Sequence, residues 1–113
     1  MPERRQVPRY LTETRGQLTL QGTRDVAPVS VVTLSVQGCC VKGADLPNAG
    51  SECQLTIPWQ GRQIRVHAKV AWKQPNGQAG LRFESVDQES ADNLRGLCAS
   101  LRVQPLAPMT YDD

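Results

Sequence analysis

"RQIRVHAKVAWK", residues 62–73, decides the fold. Ile64, Val66, Ala68, Val70 and Trp72 recur at every second position, while Arg65, His67, Lys69 and Lys73 stand between them, with Ala71 the exception. Period-two alternation describes a strand with one face in a core and one in water, the habit of antiparallel sheets. Counted this way, Trp72 belongs to the core. Upstream, "ECQLTIPW" (52–59) repeats the pattern with Cys53, Leu55, Ile57 and Trp59. The intervening "QGR" around Gly61 reads as a tight hairpin turn. Downstream, "QPNGQ" (74–78) is a turn through Pro75, Asn76 and Gly77, and "GLRF" (80–83) resumes the alternation with Leu81 and Phe83.

Nearer the N-terminus, "GQLTLQG" (16–22) carries Leu18 and Leu20. "PVSVVTLSV" (28–36) is rich in β-branched residues and suits a strand buried on both sides. A short strand "CCVKG" (39–43) leads to the loop "ADLPNAG" (44–50). After Phe83 the period changes. Ala91, Leu94, Cys98 and Leu101 recur at helical spacing with Leu97 beside them. Ser85 with Gln88, or Asp87, supplies the cap. Gly96 weakens this helix by roughly 1 kcal/mol relative to alanine, so packing on the sheet has to hold it. These elements predict an all-β domain, a six-stranded antiparallel β-barrel with one C-terminal α-helix over an end or flank. The expected boundaries are one domain over 1–104, with a flexible arginine-rich arm at 1–13, the barrel at 16–85 and the helix at 87–102. Residues 105–113 are expected to be a disordered tail.

The chain of 113 residues is long enough for one modest core. Its formal net charge of +2 is too small for a general nucleic-acid or membrane binder. No run approaches the roughly 18–20 apolar residues of a membrane span, and no apolar stretch follows the N-terminal arginines as in a secretory signal. Cys39, Cys40, Cys53 and Cys98 lack C-x-x-C spacing and His67 is the single histidine. The expectation is reduced, packed thiols in a cytoplasmic protein, with no metal site. A lone histidine, no paired carboxylates and no Gly-rich phosphate loop also argue against an enzyme, so no catalytic residues are expected.

Two clusters carry chemistry. Ten of the thirteen basic residues are arginines, and "PERRQVPRY" (2–10) holds three of them, Arg4, Arg5 and Arg9. Guanidinium forks fit phosphate oxygens and guanine edges better than lysines do. The second cluster, "TLSVQGCCVKG" (33–43), places Thr33, Ser35 and Gly38 at the end of a β-branched strand. Short hydroxyl side chains there leave backbone free to meet a ligand, and glycine either admits a flat group or takes a backbone angle closed to other residues.

Together the clusters resemble the PilZ family of bacterial cyclic di-GMP receptors. That family's R-x-x-x-R is matched by Arg5 to Arg9, and the arginine that commonly precedes it by Arg4. Its [D/N]-x-S-x-x-G is matched at Ser35 and Gly38. "V-x-W" (Val70 to Trp72), a turn, "G-x-R-F" (Gly80 to Phe83) and a terminal helix follow in the family's order. The resemblance implies a cytoplasmic second-messenger receptor that binds cyclic di-GMP with no other cofactor and signals by a changed surface to an effector protein. It implies that Arg5 and Arg9 hold phosphate oxygens and the guanine O6 and N7. Arg4 fits the family variants that capture a stacked, intercalated dimer of the nucleotide. Ser35 would bond the ligand through its hydroxyl, Gly38 would make room for it, and Trp72 is either a core residue or a neighbour of the nucleotide. His67 is expected to be simply exposed, and Lys69 and Lys73 to lie on a positive or solvated face.

Thr33 stands where the family has Asp or Asn. A charge-assisted hydrogen bond contributes about 1.5–3 kcal/mol against about 1 for a neutral one. The departure predicts affinity weaker by roughly tenfold. It also sustains an alternative, a PilZ-like protein-interaction module that no longer binds nucleotide. A third reading, a small barrel for RNA or single-stranded DNA, needs aromatics on the surface. Counted by alternation, Trp59, Trp72 and Phe83 all face inward, against that reading.

Overall fold

The computed structural model describes residues 7–101. Arg4, Arg5 and the tail expected from residue 105 lie outside the described residues. The chain forms β1 (Tyr10–Leu20), β2 (Val26–Leu34), β3 (Gly38–Lys42), β4 (Glu52–Trp59), β5 (Arg62–Gln74), β6 (Gln78–Val86) and α1 (Gln88–Ser100). The strands close into a barrel in the order β1-β2-β3-β6-β5-β4, with β1 and β4 completing the ring. All six pairings are antiparallel, so the expected barrel with a C-terminal helix is the fold of this chain.

Local chemistry sets the turns. Between β4 and β5, Gln60 and Gly61 both have positive φ, 52° and 74°, the backbone of a two-residue hairpin whose twist matches its strands. Between β5 and β6, Gly77 has φ 86°, and the Asn76 carboxamide accepts a hydrogen bond from the Gln78 N–H at 3.2 Å. Asp87 caps α1, its carboxylate accepting from the Ser90 N–H at 2.7 Å.

The core runs through the barrel, with Val31, Leu34, Val41, Leu55, Ile57, Ile64 and Val66 fully enclosed. Leu94, Leu97 and Cys98 of α1 join the same cluster, and Trp59 packs against it. A Cβ on Gly96 would come within 2.7 Å of the Trp59 ring, so the residue that weakens the helix seats an indole. Ser90, buried, accepts the Arg65 N–H at 3.0 Å and ties α1 to β5.

Three expectations change. β1 begins at Tyr10 rather than 16 because the Tyr10 ring is buried and its backbone pairs with Leu34, so the arm cannot extend to residue 13. β2 is not buried on both faces: Val29, Val31 and Leu34 point inward, while Val26 is exposed and Ser30 half-exposed. Its β-branched residues suit the pleated backbone rather than marking burial. Leu20, at the end of β1, is 38% exposed. The four cysteines are free, and burial pushes their thiols up, that of Cys98 to about 11.

Candidate functional site

Two single-residue bulges build the site. On β2, Val31 faces Val41 and Thr33 faces Cys40, which leaves Val32 as the extra residue. On β5, Val70 faces Leu81 and Trp72 faces Gly80, which leaves Ala71 extra. An inserted residue shifts the phase of alternation and re-aims the side chains beyond it. Leu34 therefore follows Val31 into the core while Thr33 turns outward. Trp72 turns outward too and is 42% exposed, which corrects the core position that counting from Val70 assigns to it.

Register then assembles a row across four strands: Thr33 of β2, Cys40 of β3, Gly80 of β6 and Trp72 of β5. The indole lies against Gly80, where a Cβ would sit 2.2 Å from Trp72 Nε1. This row lines a pocket of about 260 Å³ whose other walls include Val7, Arg9 and Arg82. No aspartate or glutamate is among its described lining residues.

The turn from Ser35 to Gly38 closes one side. The Ser35 hydroxyl accepts from the N–H groups of Gln37 and Gly38, at 3.0 and 3.1 Å, and donates to the Gly38 carbonyl at 3.2 Å. A hydroxyl has one proton to donate and two lone pairs. All are engaged, and the residue is 5% exposed. Ser35 thus shapes the pocket wall. Gly38 has no positive φ; a Cβ there would stand 2.5 Å from the Leu81 carbonyl oxygen. The glycine is required by the approach of β3 to β6.

Arg9 is placed by its neighbour. Because Tyr10 is anchored opposite Leu34, the residue before it stands beside the end of β2. The Cys40 thiol registers it: burial pushes that thiol up, and the nearby Arg9 guanidinium offsets part of the shift. Arg82, which the motif reading did not single out, stands opposite Gly38 with its Nη2 3.3 Å from Glu84 Oε2. Its signal in the sequence is its place two residues after Gly80, on the same face of β6.

Other expected residues lie elsewhere. His67 is half-buried, with Nε2 2.9 Å from Glu52 Oε1 and the Glu84 carboxylate close by, so it is not simply exposed. Lys73 is exposed, and its Nζ donates to the Leu46 carbonyl at 2.8 Å and to Asn48 Oδ1 at 3.3 Å. A larger hollow of about 500 Å³ lies across β1, β2 and β4, lined in part by Arg15, Pro28 and Lys42, and contains none of the motif residues. Among the described residues, no helix is long and apolar enough to cross a membrane.

The sequence model of the PilZ domain matches residues 3–100, from the arginine cluster to the end of α1. The chain belongs to the PilZ domain family. No curated protein matches it by sequence. Among solved structures, this PilZ chain is similar to the PilZ domain of CeSA from a cellulose-synthesizing bacterium, at 12% identity and TM-score 0.68, covering 83% of this chain and 97% of that one. It is similar to the PilZ domain of YcgR from Escherichia coli, solved with cyclic di-GMP, at 15% identity and TM-score 0.67, covering 89% and 93%. A third likeness is to the motility inhibitor MotI/DgrA of Bacillus subtilis, at 20% identity and TM-score 0.70, covering 90% of this chain and 52% of that one. At these identities the likeness is one of fold.

Proposed function

We propose that this PilZ domain is a cyclic di-GMP receptor, that Arg5 and Arg9 grip the nucleotide, and that the outward row from Thr33 to Trp72 is its seat. The observation that supports this most is the convergence of Arg9, Thr33 and Trp72 on one pocket. Those residues come from both sequence motifs and from β5, where Trp72 lies 39 positions after Thr33, and two separate bulges bring them together. The Arg9 guanidinium takes phosphate oxygens or the guanine O6 and N7, and Arg5, four residues earlier, takes the partner edge. The Trp72 indole offers a π-face on which a purine stacks, worth about 1–3 kcal/mol per base in other nucleic-acid sites. Arg4 supplies a further guanidinium for a second, stacked nucleotide.

The domain is read as a receptor rather than an enzyme. The Ser35 hydroxyl is committed to its turn, and the described pocket walls offer no acid or base to activate a nucleophile. The output is a changed surface for an effector protein. Thr33 is the observation that favours the second reading, a module that binds protein without nucleotide, because its hydroxyl contributes less to a guanine edge than a carboxylate does.

Calorimetric titration with cyclic di-GMP separates the two, with GMP and cyclic di-AMP as controls. The receptor reading predicts saturable binding of cyclic di-GMP only, lost in the Arg5→Ala, Arg9→Ala double variant. A stoichiometry near two supports the role of Arg4. No heat from the wild type, with binding restored in Thr33→Asp, supports the second reading instead.

A further inference from the structure

We infer that Arg82 is the barrel's own anion-binding residue in this pocket, and that Glu84 holds its guanidinium in reserve until a phosphate displaces the carboxylate. This rests on the reading of the pocket as a nucleotide site and adds to it a residue outside both motifs.

Alternation along β6 carries the geometry. Leu81 points into the core, so Gly80 and Arg82 share the outer face. The Trp72 indole covers Gly80, which makes Arg82 the next side chain beyond the ring. Across the β3 side its register partner is Gly38, which has no side chain to fill the adjoining space. Across the β5 side its partner is Lys69, another cation. The ion-pair partner of Arg82 among the described residues is Glu84, at 3.3 Å. Glu84 lies on the far side of Arg82 from Gly80, so the pair draws the guanidinium along the strand away from the indole.

The exchange is favourable on charge grounds. The Arg82 side chain is 65% exposed, and ion pairs in such settings contribute little, so a carboxylate there is readily exchanged. A phosphodiester presents two oxygens to the planar guanidinium fork, and the neighbouring Lys69 favours a ligand carrying more than one negative charge. With no carboxylate among the described lining residues and Thr33 neutral, Glu84 is the one described carboxylate that competes with the ligand for Arg82.

Two variants should move affinity in opposite directions. Arg82→Ala is expected to weaken cyclic di-GMP binding about ten- to a hundredfold, the span of one charge-assisted hydrogen bond, and Arg82→Lys to restore only part of it. Glu84→Gln is expected to tighten binding by up to about fivefold, the worth of an exposed pair. Thermal unfolding of each variant shows that the fold persists. Equal affinity of Arg82→Ala and wild type, or weaker binding by Glu84→Gln, overturns the proposal. A parallel titration with pyrophosphate, followed through the Arg82 Nε–H signal by NMR, separates this idea from the receptor reading. If cyclic di-GMP fails to bind but pyrophosphate shifts that signal, the anion site stands and the receptor reading falls. If neither ligand moves it, Arg82 is no anion site.

Discussion

At Gly80 and Gly38 a single methyl group decides whether the pocket wall holds. Gly80→Ala would push against the half-exposed Trp72 indole, which can swing away. The expected result is a modest loss of stability, a red shift of tryptophan emission and weaker nucleotide binding. Gly38→Ala would meet the Leu81 carbonyl, which is backbone and cannot move without parting β3 from β6. Urea unfolding should register at least the roughly 1–3 kcal/mol typical of overpacking, and more than for Gly80→Ala. The reverse order would mean that the indole, not the strand pair, is the fixed part. Ser35→Ala leaves the Gln37 and Gly38 N–H groups without their acceptor. A fully buried donor so orphaned costs about 1–3 kcal/mol; these two are only partly buried, so the loss should fall toward the lower end, and binding should weaken as the turn loosens.

Whole elements follow from the sequence where their chemistry is local. β5 declares itself from Arg62 to Val70 by alternation, the hairpin at Gly61 by its glycine, and α1 by its change of period. Bulges do not declare themselves. Val32 and Ala71 are ordinary strand residues, and what makes each one extra is the register of a neighbouring strand. Counting by alternation therefore puts Trp72 in the core, although it places Val70, two residues earlier, correctly. The same limit hid the task of Gly96, whose neighbour Trp59 is 37 positions away in sequence. On propensity alone, Gly96→Ala stabilises a helix by roughly 1 kcal/mol. Here the added methyl meets the Trp59 ring at 2.7 Å, so a net loss in the urea midpoint is expected. A gain would mean that the ring slides aside without cost.

At the scale of the molecule, the start of the described residues meets the C-terminal helix. Val7 and Pro8 lie by Val36 on one side and by Cys98 and Ala99 of α1 on the other, around a hollow of about 230 Å³. A ligand that holds Arg9 acts on this seam. Hydrogen exchange should slow in the last turn of α1 when cyclic di-GMP is added, and unchanged exchange there would place the output elsewhere. The buried thiols give a second global test. Cys98 is raised by burial from 9.0 to about 11, and Cys39, Cys40 and Cys53 shift in the same direction. Below pH 9 both the folded and the unfolded chain keep the Cys98 thiol protonated, so its full contribution is present. Between pH 9 and 11 the unfolded chain ionises first, and stability falls by up to about 1.4 kcal/mol per pH unit for that thiol. Cys98→Ala should show a shallower alkaline decline, whereas parallel curves would contradict the assignment.

The central claim is that two bulges turn Thr33 and Trp72 out of the barrel to form a seat for cyclic di-GMP. Backbone amide shifts in ¹⁵N-labelled protein, followed through a cyclic di-GMP titration, test it most directly. The predicted result is saturable shifts concentrated in Arg9 to Leu11, Thr33 to Cys40, Ala71 to Trp72 and Gly80 to Arg82, together with the Trp72 indole N–H. No shifts at saturating ligand, or shifts centred on the hollow at Arg15, Pro28 and Lys42, would contradict it.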